Sequence, residues 1–402
     1  MSFQTGLSGL NASSQGLQVI GNNIANANTY GMKSSTADFS ELVASAIGTA
    51  SGNTTGMGVT VGGVSQSFTQ GTIDSTGNSL DLAINGGGFF QVTMPDGSTA
   101  YTRAGNFTLN STGGIVTSNG ATVMGYPTNA AGQATSLTPQ ALTLPTTAPI
   151  AASATTTVTA QFNLNGSAAI ASSTTPATPV TTYGSTLTCY DGQGNSIPVS
   201  LYFTKTAANT WEVYSSIKGA APVDTTTALT FNNTGALTTT PATLTLNLPN
   251  PDGTTTFPVT VNLAGTTQYG SAFNANNVTQ NGYTSGSFTG LSISTTGTIT
   301  AQYSNGQTQA AGQIALANFR NTQGLGQING GYWVQTASSG QPVLGAAGAG
   351  SFGNIQEGAL EQSNVNLTNE LVNMMTAQRT YQANAQTIKT EDQLMQTLVS
   401  MR

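Results

Sequence analysis

Histidine is absent from this chain, and cysteine occurs once, at Cys189. Without imidazole there is no Ser-His-Asp or Cys-His nucleophile and no histidine metal site, and one thiol excludes an intrachain disulfide and every multi-cysteine cluster. Charge is nearly as scarce: Asp, Glu, Lys and Arg make up 5% of the 402 residues, against roughly 25% in ordinary soluble domains. The 14 acidic residues are dispersed, and the one adjacent pair, Glu391 and Asp392, falls in a helical tail whose natural reading is a solvated face. No catalytic, cofactor-binding or metal-ligating residue emerges, so no enzyme is expected. Lys and Arg are missing between Arg103 and Lys205 and again between Lys218 and Arg320, which leaves no basic patch there for phosphates. Nucleic acid is therefore not an expected partner. The net charge of -6 argues weakly against an anionic membrane surface. No apolar run approaches the ~20 residues of a membrane helix, and the start, MSFQTGLSGLNASSQ, has neither a basic leader nor a continuous apolar stretch. Neither membrane insertion nor a cleaved signal peptide is expected.

Glycine, at 48 residues, and the neutral polar residues Thr, Asn, Ser and Gln supply what charge does not, while 37% apolar residues are enough to build a core. The glycine-rich runs INGGGFF (84–90) and GLGQING (324–330) do not follow the strand, loop and helix order of a nucleotide site. Turns or bulges between strands are expected there instead.

Phe3, Leu10, Leu17 and Ile24 recur every seven residues, with Leu7 and Ile20 beside them, which predicts a helix over residues 3 to about 27 with a coiled-coil-like seam. The stripe stops after Ile24, where Asn26, Asn28 and Gly31 supply exit signals. At the other end Leu360, Leu367, Met374, Tyr381, Ile388 and Met395 fall seven apart, joined by Leu371, Val372, Leu398 and Val399. The two ends are expected to pair. Two helices with several narrow stripes have too few neighbours in one chain to cover them, which points to burial by other subunits. The candidate polymerisation interface is accordingly Phe3, Leu10, Leu17, Ile24, Asn26, Asn28, Leu360, Leu367, Leu371, Met374, Tyr381, Ile388 and Met395.

Between the ends the apolar period is two. Leu80, Leu82 and Ile84, then Phe90, Val92 and Met94, lead through the turn PDG (95–97) to Tyr101, as an antiparallel meander does. Further alternations run through Val158 to Leu164, Ile197 to Phe203, Leu244 to Leu248 and Phe257 to Leu263. Residues 138–157 and 265–288 are rich in Thr, Ser, Pro, Gly and Asn and are expected as linkers. The fold class that results is mainly β with terminal α-helices, a nested multidomain subunit. Residues 1–70 and 359–402 are expected to form a helical coiled-coil domain with a connecting segment. Residues 71–145 and 285–358 would form a discontinuous antiparallel β domain, and 146–284 a second antiparallel β domain inserted into it.

These residues also carry a resemblance. NNIANANTYGMK (22–33) resembles the N-terminal signature of the rod and hook family of bacterial flagellar axial proteins. LDLAINGGGFFQV, YTRAGNFTLNSTGGIV and GYWVQTASSGQPV resemble its β-domain motifs, and GALEQSNVNLTNELVNMMTAQRTYQANAQTIKTED its C-terminal helix motif. Met32 departs from the family, which commonly carries an aromatic residue after the glycine. The middle block has no family motif, and its length sets the chain apart from distal rod-type members. The resemblance implies a non-enzymatic, cofactor-free subunit that polymerises with itself into a tube on the outside of the cell. It implies export by the flagellar type III export apparatus, assembly beneath a hook cap protein, and neighbours that are a distal rod protein and a hook-filament junction protein. Such a tube transmits torque as a universal joint. A distal rod-type protein and a secreted adhesive β protein are the alternative readings; the adhesin would need no matched helical seams at its two ends.

Overall fold

The computed structural model describes residues 2–43, 56–146, 148–171 and 180–401. The chain is mainly β, with one long helix at each end: α1 (Ser2–Ala25) and α2 (Leu367–Ser400). α1 carries no ionisable side chain. It ends where Asn26 turns back, its Nδ2 donating to the Asn22 carbonyl at 3.0 Å and to Asn22 Oδ1 at 2.7 Å. The side-chain amide thus adds a second, uncharged donor to a last-turn carbonyl that already accepts the Asn26 backbone N–H. α2 begins at Asn366, whose side chain accepts the backbone N–H of Asn369 at 3.1 Å.

That cap corrects the predicted helix start. Leu360 is not on the helical stripe: it lies in the strand Ala359–Glu361, 3% exposed, paired antiparallel with Ile73–Ser75. The seven-residue step from Leu360 to Leu367 is coincidental, because the polar stretch before the Asn366 cap separates a buried strand from the helix. Residues 35–66 also hold more than a connection. β1 (Ser35–Val43) and β2 (Gly56–Gln66) pair antiparallel and lie against α1.

Contacts divide the chain into two compact units. The first, Met1–Thr147 with Gly290–Gln302 and Thr308–Arg402, contains both helices, the β1–β2 pair and the strands of a large sheet. In its centre the strand Phe89–Thr93 pairs with Thr99–Thr102, Thr122–Tyr126 and Thr308–Asn318. Both faces of that strand are covered, which is why it opens on two adjacent phenylalanines. Phe90 and Val92 pack with Phe107, Ile115, Val123, Ile314 and Leu316. Phe89 packs on the other side with Tyr101, Phe319 and Trp333. The strand Leu82–Asn85 pairs with Asn354–Glu357, so segments from both halves of the sequence close the unit.

The second unit comprises Ala148–Thr289 and Tyr303–Gln307. A four-stranded sheet (Gly184–Tyr190, Ser196–Ala207, Thr210–Ile217, Val223–Thr230) and a five-stranded sheet share a core around Phe162, Phe203, Trp211 and Leu248. Two expectations change here. Thr157–Asn165 pairs in parallel with Thr256–Asn262 and Thr267–Tyr269, so the sheet is mixed rather than purely antiparallel. The expected linker 265–288 contains the strands Thr267–Tyr269 and Asn274–Gln280, both paired with Thr157–Asn165. Asn274–Gln280 has no buried side chain, which is why it shows no apolar alternation.

Candidate assembly surface

α1 and α2 run antiparallel: Gly6 faces Ile388, Gly9 faces Asn384, and Asn23 Nδ2 lies 3.3 Å from Glu370 Oε1. Two small residues of α1, Gly6 and Gly9, lie directly against α2, and Ala12 and Gly16 continue the spacing of three or four beyond them, Gly16 against Phe39 of β1. A Cβ at Gly6 would sit 3.1 Å from Ile388 Cγ1, and one at Gly9 only 2.8 Å from Asn384 Nδ2. A side chain at either position would have to displace Ile388 or Asn384. Gly9, Ala12 and Gly16 line an open groove of about 590 Å³ together with Phe39 and Ala377. Asn23, 1% exposed, ties the helix to β1 by exchanging two hydrogen bonds with the Ser35 backbone, at 2.7 and 2.9 Å.

The seam residues separate accordingly. Phe3 is 51% exposed, and Leu10, Leu17 and Ile24 are half-buried. On α2, Met374 and Ile388 are half-buried, Ile388 against Gly6, while Leu367, Leu371, Tyr381 and Met395 are exposed. Leu360 belongs to the interior strand described above. Asn26 caps α1, and Asn28 is exposed beyond it. The side chain of Leu398 lies outside the described residues. Among the described residues of α2, a helix of 34 residues, no side chain is buried. One helical neighbour covers one stripe, and the rest of the apolar set stays in water.

Sequence reasoning missed a cluster where the roots of the helices meet the β strands. Glu361 accepts Lys33 Nζ at 2.6 Å on one carboxylate oxygen and Arg103 Nη1 at 3.0 Å on the other. The Lys33 and Glu361 side chains are fully buried. Burial pushes the Lys33 ammonium down from its ordinary range while Glu361 pushes it back up, and Arg103 is lowered for the same reason. Arg103 also lies over the Phe89 ring, 5.4 Å from its centroid. The available signal was scarcity: in a chain with 8 Lys and Arg, a lysine inside TYGMKSS is unusual enough to need a partner.

Residues 3–33 match the family described as Flagella basal body rod protein, and 83–166 match Flagellar hook protein FlgE/F/G D1 domain. Residues 163–283 match Flagellar basal body protein FlaE D2 domain, and 356–401 match Flagellar basal body rod FlgEFG protein C-terminal. The chain is 41% identical to the flagellar hook protein FlgE of Salmonella typhimurium and 42% identical to that of Escherichia coli, in each case over 100% of both chains. Identity to the Rhizobium meliloti FlgE is 35%, over 100% of this chain and 98% of the relative. The crystal structure of Helicobacter pylori flagellar hook protein FlgE2 shares the fold, with a TM-score of 0.55 at 17% identity, covering 72% of this chain and 100% of that one.

Proposed function

The chain belongs to the flagellar hook protein FlgE family, and we propose that its terminal helices are the element through which it polymerises. It is a structural subunit of the bacterial flagellar hook, and its place is the flagellum. The observation that supports helix-driven polymerisation is α2 itself, 34 residues long with no buried side chain among those described. A helix in water draws most of its stability from tertiary packing of its apolar face. Exposed Leu367, Leu371, Tyr381 and Met395, together with Phe3 on α1, supply such a face for neighbouring copies. Ile388 packs against Gly6, and Leu10, Leu17, Ile24 and Met374, all half-buried, edge the same surface. Asn26 and Asn28 let crowded helix ends approach without accumulating like charge.

In this reading residues 1–70 and 359–402 line the inside of a tube, 71–145 and 285–358 form its wall, and 146–284 lies outermost. The subunit is exported by the type III export apparatus, added beneath a hook cap protein, and joined to a distal rod protein and a hook-filament junction protein. Threonine- and asparagine-rich outer surfaces exchange hydrogen bonds with water at a net difference of about 1 kcal/mol each, so they slide as the tube bends and turns.

Leu371→Asp tests the reading. Leu371 is 42% exposed in the single chain, so the isolated variant should stay within about 0.5 kcal/mol of the parent. In a polymer the carboxylate is desolvated in every subunit, at several kcal/mol each. Sedimentation and electron microscopy should show monomers where the parent forms tubes; normal tubes would remove Leu371 from the interface.

A further inference from the structure

We propose that Lys33, Arg103 and Glu361 form an internal clasp that closes only when both ends of the chain are in place, and that this clasp fixes the roots of α1 and α2 in the arrangement assembly requires. The last clause rests on the function proposed above; the clasp itself does not.

Glu361 is the centre of the arrangement. Its carboxylate accepts Lys33 Nζ, Arg103 Nη1 and the backbone N–H of Gly71, at 2.6, 3.0 and 3.0 Å, and its carbonyl accepts the N–H of Gly31 at 2.8 Å. Lys33 Nζ donates onward to the Thr69 carbonyl at 2.8 Å, and Arg103 Nη2 to the Gly86 carbonyl at 2.8 Å. Asn364 works beside them: its side chain accepts the N–H of Ser34 at 2.7 Å and donates to the Ser67 carbonyl at 2.7 Å. Segments 31–34, 67–71, 103 and 361–364 are thereby held at one point, and the two helices leave from it.

The charge count makes the closure conditional. Two cations share one carboxylate, and among the described residues these two ion pairs are the only ones. Removing one partner of a buried pair is far worse than never having built it, because the charges left behind are desolvated without compensation. When strand Ala359–Glu361 is not paired with Ile73–Ser75, Lys33 has no buried acceptor of opposite charge and is better solvated outside. Segment 31–34 then stays undocked, and the glycine face of α1 has nothing to align it with α2. An apolar trio would dock either end independently. A buried charge triad docks the two ends together or not at all.

The test uses the full-length chain with Glu361→Gln, Lys33→Met and the double variant, followed by peptide-resolved hydrogen exchange on the isolated subunit. Glu361→Gln keeps the shape and removes the charge. It should speed exchange in 31–35, 67–72 and 359–364 at least tenfold while the central strand Phe89–Thr93 keeps its protection. In that background Lys33→Met should slow exchange again, because it removes one of two uncompensated cations; in the parent the same change should not slow it. This reversal of sign is what packing alone would not produce. Unchanged exchange in the three segments, or a Lys33→Met effect of the same sign in both backgrounds, overturns the clasp. If Glu361→Gln loosens the central sheet as well, the sign of the Lys33→Met effect in that background still decides. Sedimentation of the same samples should show tube formation lost with Glu361→Gln and partly regained in the double variant. A parent that forms no tubes would undo the polymerisation reading while the exchange result still judges the clasp.

Discussion

Gly31→Ala should be among the most damaging one-carbon changes available in the helix roots. Gly31 has φ +69, in the left-handed region, and a Cβ built on it would lie 2.5 Å from the Ala104 nitrogen and 2.6 Å from the Arg103 carbonyl carbon. The first feature costs a non-glycine residue about 1–2 kcal/mol. The second is a clash with backbone, which cannot rotate away, and overpacking of this kind adds about 1–3 kcal/mol. The expected total is about 2–5 kcal/mol, directed at the segment that delivers Lys33 to Glu361. Gly77→Ala is the matched control: its φ is +74, and a Cβ there would meet nothing within 4 Å, so only the backbone term applies. Urea unfolding should be followed by the fluorescence of Trp333, which packs on Phe68 just beyond β2 at a ring-centroid distance of 5.7 Å. Trp211, buried in the second unit, gives the internal reference transition. Gly31→Ala should shift the Trp333 transition well beyond the Gly77→Ala shift, with exchange in 31–35 accelerated and the Trp211 transition unmoved. Equal destabilisation by the two variants would refute the close-approach argument and leave only the conformational one.

Cys189 is 1% exposed, and burial pushes its thiol up to about 11, so a thiol reagent at pH 8 should label the native protein orders of magnitude more slowly than the urea-unfolded one. Because the folded value lies above the ordinary thiol value, Cys189 contributes stability that is complete below about pH 9 and lost as the pH rises towards 11, which an alkaline melting series on the parent and Cys189→Ala would detect. Replacing residues 146–284 by a short Gly/Ser linker should leave tubes that form but are straighter; absent tubes, or tubes of parental curvature, would each contradict an outer, shape-setting role.

The fold class was legible because alternation is a strong signal wherever one face is buried. The strands around Val158, Ile197 and Leu244 announce themselves in this way. What failed to announce itself had no such contrast. Asn274–Gln280 is an edge strand without buried residues, and β1 and β2 expose Phe39, Leu42, Met57 and Val64. The helices were legible from their seven-residue stripe, but not the face on which they meet. Glycine and alanine carry little apolar signal, and close approach depends on the absence of side chains, which a hydrophobic pattern does not register. Leu360 shows the converse, a periodicity match produced by a residue that belongs to a strand. The Lys33–Glu361 pair joins positions 328 apart in sequence, and no local pattern encodes a contact at that distance.

The lack of any ionisable side chain on α1 determines which conditions its packing responds to. Screening by salt acts on charges, and the helix itself carries none; the Glu370 carboxylate beside Asn23 is the charge its described contacts include, so screening has little to act on there. Apolar contact responds instead to temperature, weakening as water cools, and to excluded solutes such as sulfate, which strengthen it. Cold, rather than brine, is the condition that should loosen a joint built on such a helix.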